Sequence, residues 1–215
     1  MMRRTKEAAD QTRASILDAA ETVFYERGVS QTSLGHIAAA AGCTRGAIYW
    51  HFRGKSDLFM AMRERAFLPQ EEFFQAQDIV SDPDPLGALH RVTIESLRRF
   101  AADERAQRVV AILTLRCEYV GEMEEATLCQ READAHMQSN IRRAFERAAQ
   151  LGHLAADWTP ERATDACVCV FTGLFNHWLR SGESFDFTML GAQLFDGLFA
   201  QMRAVQAPAR LAAAE

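Results

Sequence analysis

The chain lacks the features that mark exported, membrane-bound or catalytic proteins. No apolar run approaches the ~20 residues of a membrane span, and the amino end has no signal-peptide hydrophobic region. A cytoplasmic protein with no membrane partner is the expectation. Strand-type alternation is scarce, and there is no internal repeat and no low-complexity domain. Phosphate loops, G-x-S-x-G elbows and H-E-x-x-H pairs are missing, and the six histidines have no evident nucleophile partner. Neither an enzyme nor a cofactor is expected. The five cysteines, Cys43, Cys117, Cys129, Cys167 and Cys169, are an odd set for a disulfide framework. On a helix, Cys167 and Cys169 point about 200° apart and cannot easily share a metal. Cys129, Glu132 and His136 share one helical face and have the best ligand spacing, but a solvated or packed face explains them more simply, and no metal is expected.

What the chain has is helical periodicity, most sharply in residues 32–52, which form two short helical patterns hinged on Gly42. Ala38 is small enough to let a second helix cross closely, and Gly42 supplies the positive φ of a tight helix end. Ile48 falls on the inner face of the second helix, for which Thr44 is an N-cap. This is helix-turn-helix spacing, and such a motif docks its second helix in the major groove of double-stranded DNA. The expected contact residues are Ser33, Thr44, Arg45, Gly46, Ala47, Tyr49, Trp50, His51 and Lys55. Arg45 can fork onto a guanine edge or a phosphate, and Tyr49 and Trp50 suit phosphate hydrogen bonds and packing on sugar or thymine methyl. Gly46 and Ala47 keep the helix slim, Lys55 reads as a phosphate clamp, and Phe52 reads as core.

The formal charge of −5 divides unevenly. Residues 1–65 hold ten Lys/Arg against seven Asp/Glu, or +3, and residues 66–215 hold fourteen against twenty-two, or −8. The positive part carries the helix-turn-helix, and Arg3, Arg4 and Lys6 add a basic arm that either meets phosphate or is simply solvated. A non-specific architectural DNA binder would be basic throughout. The expected fold is all-α: a three-helix DNA-binding head at 1–55, a larger helical ligand-binding and dimerisation domain at 56–205, and a disordered tail at 206–215. About nine helices are predicted. The fourth runs from Ser56 past Ala66 until Pro69 ends or hinges it, the fifth starts at Asp84-Pro85, and the sixth runs through Val109 to Tyr119. The seventh is closed by Gly152, and the eighth starts at Thr159-Pro160. The last two helices are apolar too far around their circumference for one core contact. A homodimer interface through Phe175, Trp178, Leu190, Leu194 and Leu198 is expected, presenting two recognition helices to half-sites about 34–36 Å apart.

The stretches Ile37-Ala38, Ala41-Gly42, Thr44-Arg45-Gly46-Ala47-Ile48-Tyr49-Trp50-His51-Phe52 and Lys55-Ser56-Asp57-Leu58 resemble the TetR family of bacterial repressors. Asp84-Pro85-Leu86-Gly87, residues 117–123 and Glu161-Arg162-Ala163 extend the resemblance, within that family, to the AcrR/TtgR-like repressors of multidrug efflux pumps. The likeness covers residues 3 to about 205. It implies an all-helical dimer that represses an efflux operon and leaves DNA when a hydrophobic, drug-like inducer enters the larger domain. Val110, Thr114 and Cys117 recur at i, i+4 and i+7 as one wall for such a ligand. Val92, Ser96, Ile141, Val168 and Phe171 are the expected facing walls, and Val110 and Thr114 make the sixth helix less polar than in some relatives. The helix near Lys55 touches both domains and is the expected transmission element. The alternative reading is a thiol redox sensor, with Cys43 in the turn of the motif as the reactive group.

Overall fold

Ile16, Leu17, Ala20, Val23 and Phe24 recur at helical spacing and form the buried face of α1 (Met2–Arg27). The computed structural model describes residues 2–66, 68–69, 76–118 and 121–204, so the expected tail at 206–215 lies outside the described residues. Around α1 pack α2 (Leu34–Ala40), α3 (Arg45–His51) and α4 (Lys55–Arg63). The body contains α5 (Ala76–Ser81), α6 (Pro85–Ala102), α7 (Glu104–Ala111), α8 (Glu124–Gln150), α9 (Pro160–Arg180) and α10 (Phe187–Met202). A π turn, Ile112–Arg116, continues α7, and a 3-10 turn, Gly121–Met123, precedes α8. Among the described residues the regular structure is helical, apart from an isolated bridge between Leu154 and Arg203.

Helix starts follow local chemistry. Asp84 Oδ1 accepts from the Gly87 N–H at 3.1 Å ahead of Pro85, and Thr159 Oγ1 accepts from the Arg162 N–H at 3.3 Å ahead of Pro160. Each oxygen satisfies a donor that the first helical turn leaves free, and each proline occupies a position whose N–H would have no partner.

Ten α-helices are present among the described residues, in line with the expected number of about nine; the additional one is α5, whose six residues are too few to show an apolar period. Two expected helix ends need correction. The fourth helix stops at Arg63 instead of continuing past Ala66, and Arg65 beyond it turns back to Asp18 at 2.6 Å and to the Ala14 carbonyl at 3.4 Å. Pro69 therefore lies outside α4. The sixth expected helix also stops early. Its last turn is π-helical, and Cys117 is already extended, with the Arg116 carbonyl accepting from the Val29 N–H at 2.8 Å. Tyr119 lies outside the described residues.

Two apolar cores result. In the body, Phe100 meets Phe175, Trp178 and Phe187 with ring centroids 4.6 to 5.8 Å apart, and each such pair adds about 0.5–1.5 kcal/mol beyond its area. The second core begins in the head with Phe24, Ile37 and Ile48 and continues beyond residue 55 through Phe59, Met62, Val109, Ile112 and Leu113. The head thus packs directly on α7. An ionic seam runs beside it: Glu21, 5% exposed, meets Arg108 at 2.7 Å and Arg105 at 3.3 Å.

Candidate nucleic-acid interface and inducer cavity

The helix-turn-helix is closed by three short-range devices. Ser33 Oγ accepts from the His36 N–H, and His36 Nδ1 accepts from the Ser33 N–H, each at 3.3 Å, so the first turn of α2 is capped reciprocally. At its other end Gly42 adopts φ +64, and the Cys43 N–H reaches the Ala38 carbonyl at 3.0 Å while the Gly42 N–H reaches Ala39 at 3.3 Å. This paired closure needs the left-handed conformation that glycine adopts without strain. Thr44 Oγ1 then accepts from the Ala47 N–H at 3.2 Å and starts α3.

With both ends fixed, α3 has a definite outer face. Ile48 and Phe52 are buried, and Arg13 lies over the Phe52 ring at 5.2 Å. Thr44, Arg45 and Gly46 are exposed, as are Tyr49 (52%) and Trp50 (73%), while Ala47 and His51 are half-buried. Large aromatics this exposed on a seven-residue helix contribute little to folding and present contact surface outward.

A groove of about 420 Å³ joins Ser33, Arg45, Tyr49 and Lys55 with Arg53. Arg53 was missed in the sequence reading, although Phe52-Arg53-Gly54-Lys55 places it between a core anchor and an expected clamp. Its side chain is 90% exposed. Lys55 is less free than expected, because its Nζ donates to the Val29 carbonyl at 3.0 Å and the Thr32 carbonyl at 3.1 Å. Its charge borders the groove while it ties the turn between α1 and α2. Arg3, Arg4 and Lys6 lie on the first turns of α1; the side chains of Arg3 and Arg4 are outside the described residues.

A cavity of about 280 Å³ opens between α7 with its π turn, α8 and α9. Val110, Leu113 and Thr114 form one wall, Gln130, Asp134, Met137 and Gln138 a second, and Val168, Phe171, Thr172, Phe175 and Asn176 a third, with Pro69 at the margin. Four expected residues, Val110, Thr114, Val168 and Phe171, therefore meet here. Ile141 lies beyond them, in a crevice shared with Val168 and Phe171. Val92 packs in the body core, and Ser96 is buried with its Oγ donating to the Pro69 carbonyl at 3.1 Å. Cys117 sits past the π turn against the head core, where burial pushes its thiol up to about 11. The sequence reading passed over the polar α8 wall, although Gln130, Asp134, Met137 and Ile141 follow one helical stripe.

One element serves both places. Val110, Leu113 and Thr114 face the cavity, and within a few residues Arg116 holds Val29 and Glu118 Oε2 accepts from Ser30 Oγ at 3.4 Å. The cavity wall thus continues into the turn that Lys55 ties.

Of the expected interface residues, Phe175 and Trp178 are buried within their own chain, while Leu190, Leu194 (41% exposed) and Leu198 form a stripe along α10. Gly197 adds a flat surface beside it with nothing within 4 Å of where a Cβ would stand. All five cysteines are free thiols. Among the described residues no three His, Cys, Asp or Glu side chains gather closely enough to hold a metal, so Cys129, Glu132 and His136 do not form such a group.

Residues 16–62 match the family described as bacterial regulatory proteins, tetR family, and residues 84–204 match the MAATS-type transcriptional repressor, C-terminal region. The chain is 39% identical over 203 residues to the HTH-type transcriptional repressor BepR of Brucella suis, spanning 94% of this chain and 97% of that one. Its structure is similar to NalD, the secondary repressor of the MexAB-OprM multidrug efflux pump in Pseudomonas aeruginosa, with TM-score 0.82 and 36% identity over 92% of this chain and 98% of that one. It is also similar to SmeT in a complex with triclosan, with TM-score 0.76 and 31% identity over 92% of this chain and 93% of that one.

Proposed function

We propose how this chain works from the fact that it belongs to the TetR family of bacterial transcriptional repressors: it binds a palindromic operator as a homodimer and is released when a small hydrophobic molecule fills the cavity between α7, α8 and α9. Proteins of this family are regulators, not enzymes. Residues 1–55 address the DNA, with Arg45, Tyr49 and Trp50 at the bases and sugars and Ser33, Thr44, His51, Arg53 and Lys55 toward phosphate. Gly46 and Ala47 allow α3 to approach. Residues 56–205 hold the inducer and the partner, the latter through Leu190, Leu194 and Leu198 backed by Phe175 and Trp178. The regulated genes are a multidrug efflux operon, in keeping with the pump named for NalD. The protein acts in the cytoplasm, where its DNA is, and none of its described helices is long and apolar enough to cross a membrane.

The observation that carries this reading is the continuity of the α7 element from the cavity wall to the α1–α2 turn. A ligand shifts an equilibrium only by its differential affinity for the two states, so an inducer must favour the arrangement in which the recognition helices no longer match their half-sites. Footprinting on the DNA upstream of the protein's own gene and of neighbouring transporter genes tests it, with triclosan and apolar antibiotics added in turn. Protection of one palindrome, lost on adding a ligand, is expected. Equal protection of unrelated DNA would overturn the repressor reading. With ~6 to 10 phosphate contacts, affinity should fall about 10³- to 10⁵-fold between about 50 and 200 mM salt.

A further inference from the structure

The cations beside the seam between head and body are already paired. Arg65 meets Asp18 at 2.6 Å, Arg105 meets Asp18 at 3.2 Å and Glu21 at 3.3 Å, and Arg108 meets Glu21 at 2.7 Å. Lys55 donates to two backbone carbonyls, and Arg53 has Asp57 at 3.8 Å. Arg13 is different. It lies on α1, is exposed, and among the described residues pairs with no carboxylate. What holds it is a ring: its guanidinium carbon stands 5.2 Å from the ring centroid of Phe52, the C-cap of α3. Phe52 is buried, so that ring is a fixed floor. A guanidinium held on an aromatic face is partly ordered before it binds anything else, and the N–H groups at its edge can still donate to an anion.

The place of this cation decides what it can meet. Phe52 follows His51 and precedes Arg53, whose side chain is 90% exposed, so Arg13 stands at the C-terminal end of α3. Arg45 stands at the N-terminal end, seven helical residues away. At ~1.5 Å per residue the two ends are about 10 Å apart. A helix-turn-helix sets the N-terminal residues of its second helix at base edges, in a major groove itself about 12 Å wide. The C-terminal end of α3 then lies toward the rim of that groove, where the backbone runs. A cation fixed there has phosphate within its range and base edges outside it.

We propose that Arg13 is a further operator contact, a cation that α1 and the Phe52 ring preset for one phosphate beside the C-terminal end of α3. This rests on the reading of α3 as the recognition helix. It adds a clamp from α1 to those proposed on α2, α3 and α4, and its contribution does not depend on base sequence. The body holds a similar pairing in a different place: Arg162, in the first turn of α9, lies 5.8 Å from the ring centroid of Trp158. Comparing the two arginines separates the effect of the pairing from the effect of its position.

The test is anisotropy of labelled operator with the full-length protein over a series of salt concentrations, beside thermal denaturation to report folding. Each phosphate contact adds about 0.9 to the slope of log affinity against log salt, so an Arg13→Ala dimer, altered in both heads, should have a slope shallower by about 1.8. Its affinity should fall about a hundredfold near 50 mM salt and only about tenfold near 200 mM. The loss should be the same for every single-base variant of the operator. Arg13→Lys keeps the charge and should restore the slope, with affinity still severalfold short because the ring no longer presets a planar fork. Arg162→Ala should keep the native slope and affinity. An Arg13→Ala protein with the native slope overturns the assignment even where affinity or melting temperature falls, because a purely structural pin does not change the number of phosphates met. A loss confined to particular base pairs overturns it as well. Failure of the repressor reading shows separately, as a native protein that protects unrelated DNA equally.

Discussion

At the residue scale, Arg45 and Lys55 are both cationic and do different work. Arg45 is exposed at the start of α3 and borders the groove, free to meet a base edge. Arg45→Ala should weaken operator binding by ~1–3 kcal/mol, concentrated at particular base pairs when single-substituted operators are compared. A loss spread evenly over all sequences would reassign it to phosphate. Lys55 was legible as a cation close to α3, but its bonds to the Val29 and Thr32 carbonyls were not, because they join residues 26 and 23 positions apart. Lys55→Ala should therefore weaken binding to every sequence and also destabilise the head by about 1.5–3 kcal/mol, the range for charged hydrogen bonds. Thermal denaturation checks it, and an unchanged melting temperature would leave Lys55 with the phosphate role alone.

At the element scale, what could be read from the sequence was what is decided within a few residues. Thr44, Asp84-Pro85, Thr159-Pro160 and the positive φ of Gly42 and Gly152 are set by local hydrogen bonds and sterics. The π turn and the early end of α4 depend on partners far along the chain, Val29 for one and Asp18 for the other, and no local period announces them. The α8 wall was hidden for another reason: Gln130 and Asp134 are polar residues on a stripe read as apolar. Asp84 shows how a cap becomes a junction. Besides capping α6, it accepts two bonds from Arg203, at 3.2 and 3.0 Å, just past the end of α10. Burial alone would raise its carboxyl, but the bonds from Arg203 and the Gly87 N–H, with the charges of Arg203 and His153, outweigh this and hold it below its ordinary 3.8. A carboxyl with a depressed folded value stabilises the protein above its unfolded pKa, and that contribution is lost as pH falls through the folded one. Asp84→Asn should thus lower the melting temperature at neutral pH and flatten its decline below about pH 4. A variant with the native acid limb would remove Asp84 from the acid response.

At the scale of the whole molecule, the two apolar helices and the divided charge were visible as composition, but the division of labour among their residues was not. Phe175 and Trp178 fill the body's own core, so in the proposed homodimer the α10 stripe is the part that would meet a partner. Leu194→Glu should leave the monomer folded, shift sedimentation to a single chain at micromolar concentration, and abolish tight operator binding because one head grips only a half-site. A dimeric Leu194→Glu protein would place the interface elsewhere. In the proposed switch, the π turn at Ile112–Arg116 joins the cavity to the head. A π turn accommodates one residue more than an α-helix of the same path, so this segment works like a screw thread with a fixed offset between its two ends. Inserting one further residue there, with the π turn already holding its extra one, would advance the thread by about 100°, carrying the Arg116 carbonyl away from Val29 while Val110 and the α8 and α9 walls stay in place. Such a protein should still take up inducer and still hold its operator, deaf to the molecule it has bound; the length of this one segment, more than any side chain on it, is what lets the two halves hear each other.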